Sequence, residues 1–380
     1  MLQRVQLHQQ TTSTRHRNRP RPGRTGRHLS ARRRGFNRRS GAAAGPEETR
    51  SLDELHQAAL AEGGRLVIYA GGDNATQQDF TKAAFLSRFP GIDLRIIVDY
   101  SKVHDVHIDN QFETDTLVPD LAQLQTLQDF TRWDKEGRLL RYRPAGFSKV
   151  YDDFKMSNGA CVSIQTLAVS FVNSTAAGSD TPKTPLDLID PRWKGGIASR
   201  YPHDDDSSLY LFALYVEKYG WDWVTAFAAQ DVQFLWGALS LDAVVGGQKT
   251  IAVGVPGSAL PPATSPTRLV VPDGHPFMAW GQRAAIFKEA RNPTAAKLYP
   301  NWQLSIARQQ AVGNGWSVRT DVTPPAGLKP VWTYPNVHLG FPRFMADRTK
   351  VERWKQTFAL YLGEVQGEST AGRLGLHPGA

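Results

Sequence analysis

The sequence predicts an α/β protein organised on parallel strands. Short apolar runs of strand length are each followed by a Gly-rich or polar turn and then by a segment of helical periodicity. The first complete unit of this kind lies between Leu66 and Val98, and the alternation continues to about Gln310. A chain of 380 residues is long enough for two cores of ordinary size.

Ser51 to Glu62 reads as a helix, with Leu52, Leu55, Ala59 and Leu60 at helical spacing and Gly63-Gly64 as its stop. Leu66-Val67-Ile68-Tyr69 is apolar without alternation, the mark of a strand buried on both faces, and Ala70-Gly71-Gly72-Asp73 ends it. A helix with Phe80, Ala83, Ala84 and Phe85 on one face ends near Phe89-Pro90-Gly91, and Leu94 to Val98 forms the next strand. Strand, helix and strand in that order require a crossover, so the two strands are parallel. Val118 to Leu124 is then expected as a strand, Leu127 to Lys135 as a helix, and Val162 to Val172 as a long extended segment. Leu186 to Ile189 starts a short helix and Gly196 to Ser199 is a further strand. Ser207 to Tyr219 is amphipathic through Leu211, Leu214, Tyr215 and Lys218, and Trp221 to Ala229 is a second helix. Ile251-Ala252-Val253 and Met278 to Phe287 read as extended, and Thr294 to Gln310 as helical, opened by Pro293 where a missing N–H costs least.

The net charge of +9 does not belong to this folded part. Residues 1–46 hold twelve arginines and no Asp, Glu or Lys, which leaves 33 basic against 36 acidic residues in the remainder. No nucleic-acid partner is therefore expected for the body. The Arg-rich tail is expected to be disordered, as are residues 368–380, and it lacks the apolar segment of a secretory signal. No apolar run reaches the length needed to span a bilayer. The single cysteine, Cys161, excludes an internal disulfide and a Cys-based metal centre, and reads as a small buried hydrophobe beside Val162 and Ile164.

Five segments then occur in one order. They are Asp190-Pro191-Arg192-Trp193-Lys194-Gly195-Gly196-Ile197-Ala198; Tyr219-Gly220-Trp221 through Phe234; Val244 to Gly254; Pro272-Asp273-Gly274-His275-Pro276; and Asn292-Pro293-Thr294-Ala295-Ala296-Lys297-Leu298 through Gln309. In this order and spacing the chain resembles the type 2 periplasmic solute-binding proteins of ABC importers, in their ferric-iron-like branch. The resemblance covers the body from about Gly64 to about Gly367. It implies a periplasmic-binding-protein-like type II fold, two doubly wound α/β lobes joined by two hinge segments, here Ser163 to Ser170 and Phe277 to Arg283. Lobe 1 is expected from residues 50–163 and 280–345, lobe 2 from 164–279, and a C-terminal helix packing on the lobes from 346–367. The implied role is capture of a small-molecule or chelated-metal ligand between the lobes, by a monomer with no cofactor and no chemistry of its own. The implied partner is an ABC-type permease. The implied location is periplasmic or extracellular, with an intracellular one open because no export signal is visible.

Ligands of open α/β sheets sit beyond the carboxyl ends of the strands. That rule selects Gly71, Gly72 and Asp73 after the first strand, and Gln125 and Thr126 after the third. It also selects Tyr201, Ser207 and Ser208 after the strand ending near Ser199, with Asp204 to Asp206 between them. Trp236, Gly247 and Gln248 are further candidates on lobe 2, and Trp280, in a hinge segment, is a candidate flat wall with a second reading as a core residue. Asp73 has a second reading as the N-cap of the following helix. Helix N-termini favour an anionic ligand while the aspartates favour a cation, and the sequence leaves the ligand's charge open.

Ferric-binding members of the family carry a His in the first loop, a Glu after the third strand and a tyrosine pair in lobe 2. The corresponding positions here are Asp73, Gln125 and Val255-Pro256, which do not suit Fe(III). No metal site is expected; His104 and His107, with Asp105 and Asp109 nearby, would suit one if helical, but no third distant ligand can be named and the segment also reads as a surface turn. Gly246-Gly247-Gln248-Lys249-Thr250 lacks phosphate-loop spacing, and no Gly-x-Ser-x-Gly elbow is present. Two alternatives remain at this level. One is an enzyme on the same fold, as in the fungal thiamine-pyrimidine synthases, whose Cys-rich iron motif is not matched. The other is anion or nucleic-acid binding through the basic tail.

Overall fold

The computed structural model describes residues 45–311 and 315–369. The Arg-rich segment through residue 44 and residues 370–380, the bulk of both expected disordered tails, lie outside the described residues. The first part of the chain runs α1 (Leu52–Glu62), β1 (Arg65–Gly71), α2 (Asp79–Arg88), β2 (Asp93–Asp99), α3 (Ser101–Glu113), β3 (Leu121–Leu124) and α4 (Leu127–Lys135). The middle runs β4 (Val162–Ser174), β5 (Ile197–Arg200), α5 (Asp206–Tyr219), α6 (Trp221–Ala228), β6 (Gln233–Leu235), α7 (Leu239–Val245), β7 (Ile251–Pro256) and β8 (Thr267–Leu269). The last part runs β9 (Phe277–Ile286), α8 (Pro293–Gln303), α9 (Ile306–Gln310), β10 (Val337–His338), α10 (Phe341–Ala346) and α11 (Arg348–Leu362).

The ten strands among the described residues join one sheet, in the order β2-β1-β3-β9-β4-β7-β5-β6, with β10 on β9 and β8 on β4. The triads β2-β1-β3 and β7-β5-β6 are internally parallel. Between them β4 and β9 run antiparallel, from Val162 opposite Ala284 to Val169 opposite Met278. The carboxyl half of β9 completes the first triad against β3, and the carboxyl half of β4 completes the second against β7. These two strands are thus the only sheet connection between the halves among the described residues, and they are the segments expected as hinges. At their middle, a Cβ on Gly281 would overlap Ser163 and approach Phe154, so glycine is needed for the strands to cross this closely.

Both faces of each triad are buried. Leu66, Ile68 and Ala70 of β1 join one core with Phe85, Leu298 and Tyr299, while Val67 and Tyr69 join another with Ile108, Phe112, Phe130 and Trp133. In the second half Ile197, Ile251 and Val253 pack with Leu211, Phe212, Trp223 and Phe227, and Ala252 and Val255 pack with Val244. The unbroken apolar runs of the sequence follow from this two-sided burial. α10, placed by the sequence at the end of the lobe 1 segment, packs Phe341, Phe344 and Met345 into the core of α5 and α6.

The structure corrects several sequence expectations. β3 begins at Leu121, not Val118, because Pro119 has no N–H for the ladder and Val118 stays exposed. The segment with His104 and His107 is helix α3, not a surface turn. His104 is fully buried, its Nε2 lies 3.2 Å from the Ala70 carbonyl, and burial pushes its pKa down to about 4. The helix expected over Thr294 to Gln310 is split into α8 and α9, where Ser305 caps α9 by accepting from the Arg308 N–H at 3.3 Å. Asp73 is not an N-cap, since α2 starts only at Asp79.

Candidate ligand-binding cleft

The carboxyl ends of β1, β2, β3, β5 and β7 converge on a cavity of about 350 Å³. From the first half it is lined by Gly71, Gly72 and Asp73, by Tyr100, Ser101 and Lys102, and by Gln123, Gln125 and Thr126. From the second half it takes Arg200, Asp204, Asp205 and Asp206, with Gly237 and Pro256. The crossing strands add Ile164, Gln165, Leu167 and Gln282, and α8 and α9 add Gln303 and Arg308. Gly71 is dictated by its neighbour: a Cβ there would overlap the Ser101 hydroxyl, which accepts the Gln125 N–H at 2.9 Å and so ties the β2 and β3 loops together.

Polar contacts join the two walls. Arg200 donates through Nη2 to Asp73 at 2.6 Å across the cleft, through Nη1 to Asp205 at 3.3 Å, and through Nε to the Gly237 carbonyl at 3.0 Å. Lys102 Nζ lies 2.5 Å from Asp204 Oδ1, and Gln125 Nε2 donates to Asp205 Oδ2 at 3.4 Å. At the rim, Tyr100 stacks on Trp236 at 6.4 Å, and Lys102 Nζ lies 5.5 Å from each ring. Burial raises the Asp73 pKa, with the Arg200 charge opposing. Burial would also raise Asp205, but Arg200 together with Ser207 and Ser208 outweighs it and holds this carboxyl below its ordinary value.

Of the residues selected from sequence, Gly71, Gly72, Asp73, Gln125, Thr126 and Asp204 to Asp206 lie in the lining. The others do not. Ser207 and Ser208 are buried behind it: the Ser207 hydroxyl donates to Asp205 Oδ1 at 2.6 Å and the Ser208 N–H at 2.7 Å. Tyr201 is buried too, its ring on Phe234 and its hydroxyl accepting the Gln366 N–H at 3.2 Å. Trp236 stands at the rim, donating through Nε1 to the Gln366 carbonyl at 2.9 Å. Trp280 is a core residue, 1% exposed and packed on Phe341, not a cleft wall. Gly247 and Gln248 form an exposed turn before β7, at the amino end of the strands and so away from the cleft. Tyr100, Lys102, Arg200, Gln282, Gln303 and Arg308 were missed. The carboxyl-end rule, applied to β2 and to one more residue of β5, selects the first three; Gln282 faces inward from a strand buried throughout, and α8–α9 gives no comparable signal.

Among the described residues, no cluster of three or more His, Cys, Asp or Glu side chains is arranged to hold a metal ion. No helix among them is long and apolar enough to cross a membrane.

No protein-family model matches the chain, and no curated protein matches it. Solved structures do. Iron-bound HitA from Pseudomonas aeruginosa superposes with a TM-score of 0.60 at 18% identity, over 77% of this chain and 99% of that one. The periplasmic binding protein AfuA from Actinobacillus pleuropneumoniae, with exogenous fructose-6-phosphate bound, gives 0.61 at 18%, over 80% and 100%. A periplasmic thiamin-binding protein gives 0.61 at 16%, over 79% and 96%. The chain has the type II periplasmic binding protein fold. Within this fold the cavity described above lies where the two halves of the sheet face each other across the β4–β9 crossing.

Proposed function

We propose that this chain is a transport-type substrate-binding protein. It captures a small polar solute between lobe 1 (residues 50–163 and 280–345) and lobe 2 (164–279), performs no chemistry on it, and hands it to an ABC-type permease on the periplasmic or extracellular face of a membrane. The observation that carries this reading is the cavity at the carboxyl ends of strands from both halves, bridged by Asp73–Arg200, Lys102–Asp204 and Gln125–Asp205. Contacts of this kind are what a cleft that opens and closes by hinge motion makes and breaks. Direct capture of ferric ion through a tyrosine pair is not part of the proposal. Among the described residues the lining has Tyr100 as its one tyrosine, Pro256 occupies the second-lobe position, and glutamine amides recur around the cavity. Amides suit a polar organic ligand or a chelated metal better than a naked hard cation.

A thermal-shift screen of the full chain against metals, polyamines, thiamine forms, sugar phosphates and carboxylates tests this reading. A specific ligand is expected to raise Tm in proportion to the logarithm of its concentration, and to reduce the radius of gyration in small-angle scattering. Turnover of any of these compounds, or the absence of binding by all of them, overturns it.

A further inference from the structure

One wall of the cavity carries a one-directional hydrogen-bond chain. Arg308 Nε donates to Gln303 Oε1 at 3.2 Å, Gln303 Nε2 donates to the Tyr299 hydroxyl at 2.8 Å, and that hydroxyl donates to Gln123 Oε1 at 2.9 Å. The guanidinium sets the direction because it has donors only. Gln303 must turn its oxygen to Arg308 and its NH2 to Tyr299, and the tyrosine proton is then committed to Gln123. Each side-chain acceptor along the chain is filled internally. What remains for the cavity is N–H: Nε2 of Gln123 and the Nη groups of Arg308. Gln123 is 3% exposed and lines the cavity. Its backbone carbonyl is also occupied, accepting from Gln282 Nε2 at 3.2 Å.

Charge points the same way. Lys102 and Arg200 are each paired with aspartates across the cleft. Arg308 stacks its guanidinium 4.6 Å from the Trp302 ring and has no carboxylate within ion-pair distance among the described residues. A half-buried cation without a counter-ion is compensated when a ligand brings the opposite charge.

We propose that Arg308 and Gln123 form an anion-binding subsite that receives a carboxylate or phosphate group of the solute. The proposal rests on the solute-binding reading above and adds the ligand's charge, which the sequence leaves open. Calorimetric titration of the full chain at low salt with citrate, inorganic phosphate, fructose 6-phosphate, fructose and spermidine tests it; citrate against the phosphates separates the two anion sources. At least one anion is expected to bind, with affinity falling as salt rises, and fructose is expected to bind at least tenfold more weakly than its phosphate. Arg308→Gln is expected to weaken the anion by roughly 10- to 100-fold, Arg308→Lys by less, and Gln123→Glu, which places a carboxylate at the same point, by more than Arg308→Lys. Should Arg308→Gln fail to fold, the Lys and Glu variants carry the comparison. Equal binding of fructose and its phosphate, unchanged anion affinity in Arg308→Gln, or binding of fructose or spermidine alone would overturn the subsite and leave solute binding intact. Silence of all five probes would count against both.

Discussion

Arg200 ends β5 with its guanidinium 7% exposed and with aspartates on both sides of the cleft as partners. Removing it leaves two carboxylates without their cation, and breaking a buried pair from one side is costly. Arg200→Leu is expected to lower unfolding stability by about 3–5 kcal/mol in urea titration. Asp73→Asn is expected to cost less, because Arg200 keeps Asp205. A larger loss for Asp73→Asn than for Arg200→Leu would show that the pair is not organised around the arginine. The carboxyl-end rule made this region legible but stopped one residue short. With the strand ended at Ser199, the rule selects Tyr201, Ser207 and Ser208, which serve the cleft indirectly by shaping Asp205 and the rim. Of the two readings of Trp280 the structure shows the core one, and the sequence does not decide between them because β9 is buried on both faces throughout, so alternation along it carries no information about which side meets the cavity.

The junction of α3 and α4 brings a cluster of charge to the back of the first half. Arg132 bridges Asp109 at 2.7 Å and Asp129 at 3.2 Å, and the Trp133 indole donates to Asp109 at 2.8 Å. Asp105 sits among them with its pKa pushed up to about 7, first by burial and then by the Asp129 carboxylate. The folded protein therefore keeps a proton that the unfolded chain has released between about pH 4 and pH 7. Stability from this group must fall as pH rises through that window, by about 1–3 kcal/mol after allowance for partial solvent access. Urea unfolding at pH 5 and pH 8 measures the fall, and Asp105→Asn is expected to flatten it. In the same junction Trp133 is fully buried against Phe130 and Phe287. Trp133→Ala is expected to cost about 3–5 kcal/mol through the cavity it leaves, read by the same titration. Helix α3 itself was not legible from the sequence: its one buried stripe, His104, Ile108 and Phe112, begins with a histidine and is interrupted by acids and amides.

Across the whole molecule the cleft is held by contacts at its mouth that touch no ligand-facing group of the proposed anion subsite. Trp236 stacks on Tyr100 and hydrogen-bonds the Gln366 carbonyl, so it ties the rim of one wall to the other and to the chain beyond α11. Trp236→Ala is expected to shift the unliganded protein toward a wider cleft, seen as an increased radius of gyration. The same variant is expected to weaken solute binding by the fraction of closed molecules lost. An unchanged scattering profile would mean that the ion pairs alone keep the lobes together.

The placement of β9 bears on how the chain acquires this shape at all. β3 ends at Leu124, yet the strand that covers its edge starts at Phe277, and Leu121 waits for Ile286 as its partner. During synthesis the first triad must stand with a bare edge until the entire second half has emerged, and neither half is complete before the other has been made. Pairings so distant along the chain close slowly, and an uncovered edge strand is a template for foreign pairing in the meantime. Refolding from urea is accordingly expected to be slow and to lose yield as protein concentration rises, with β3 the strand most exposed to that loss.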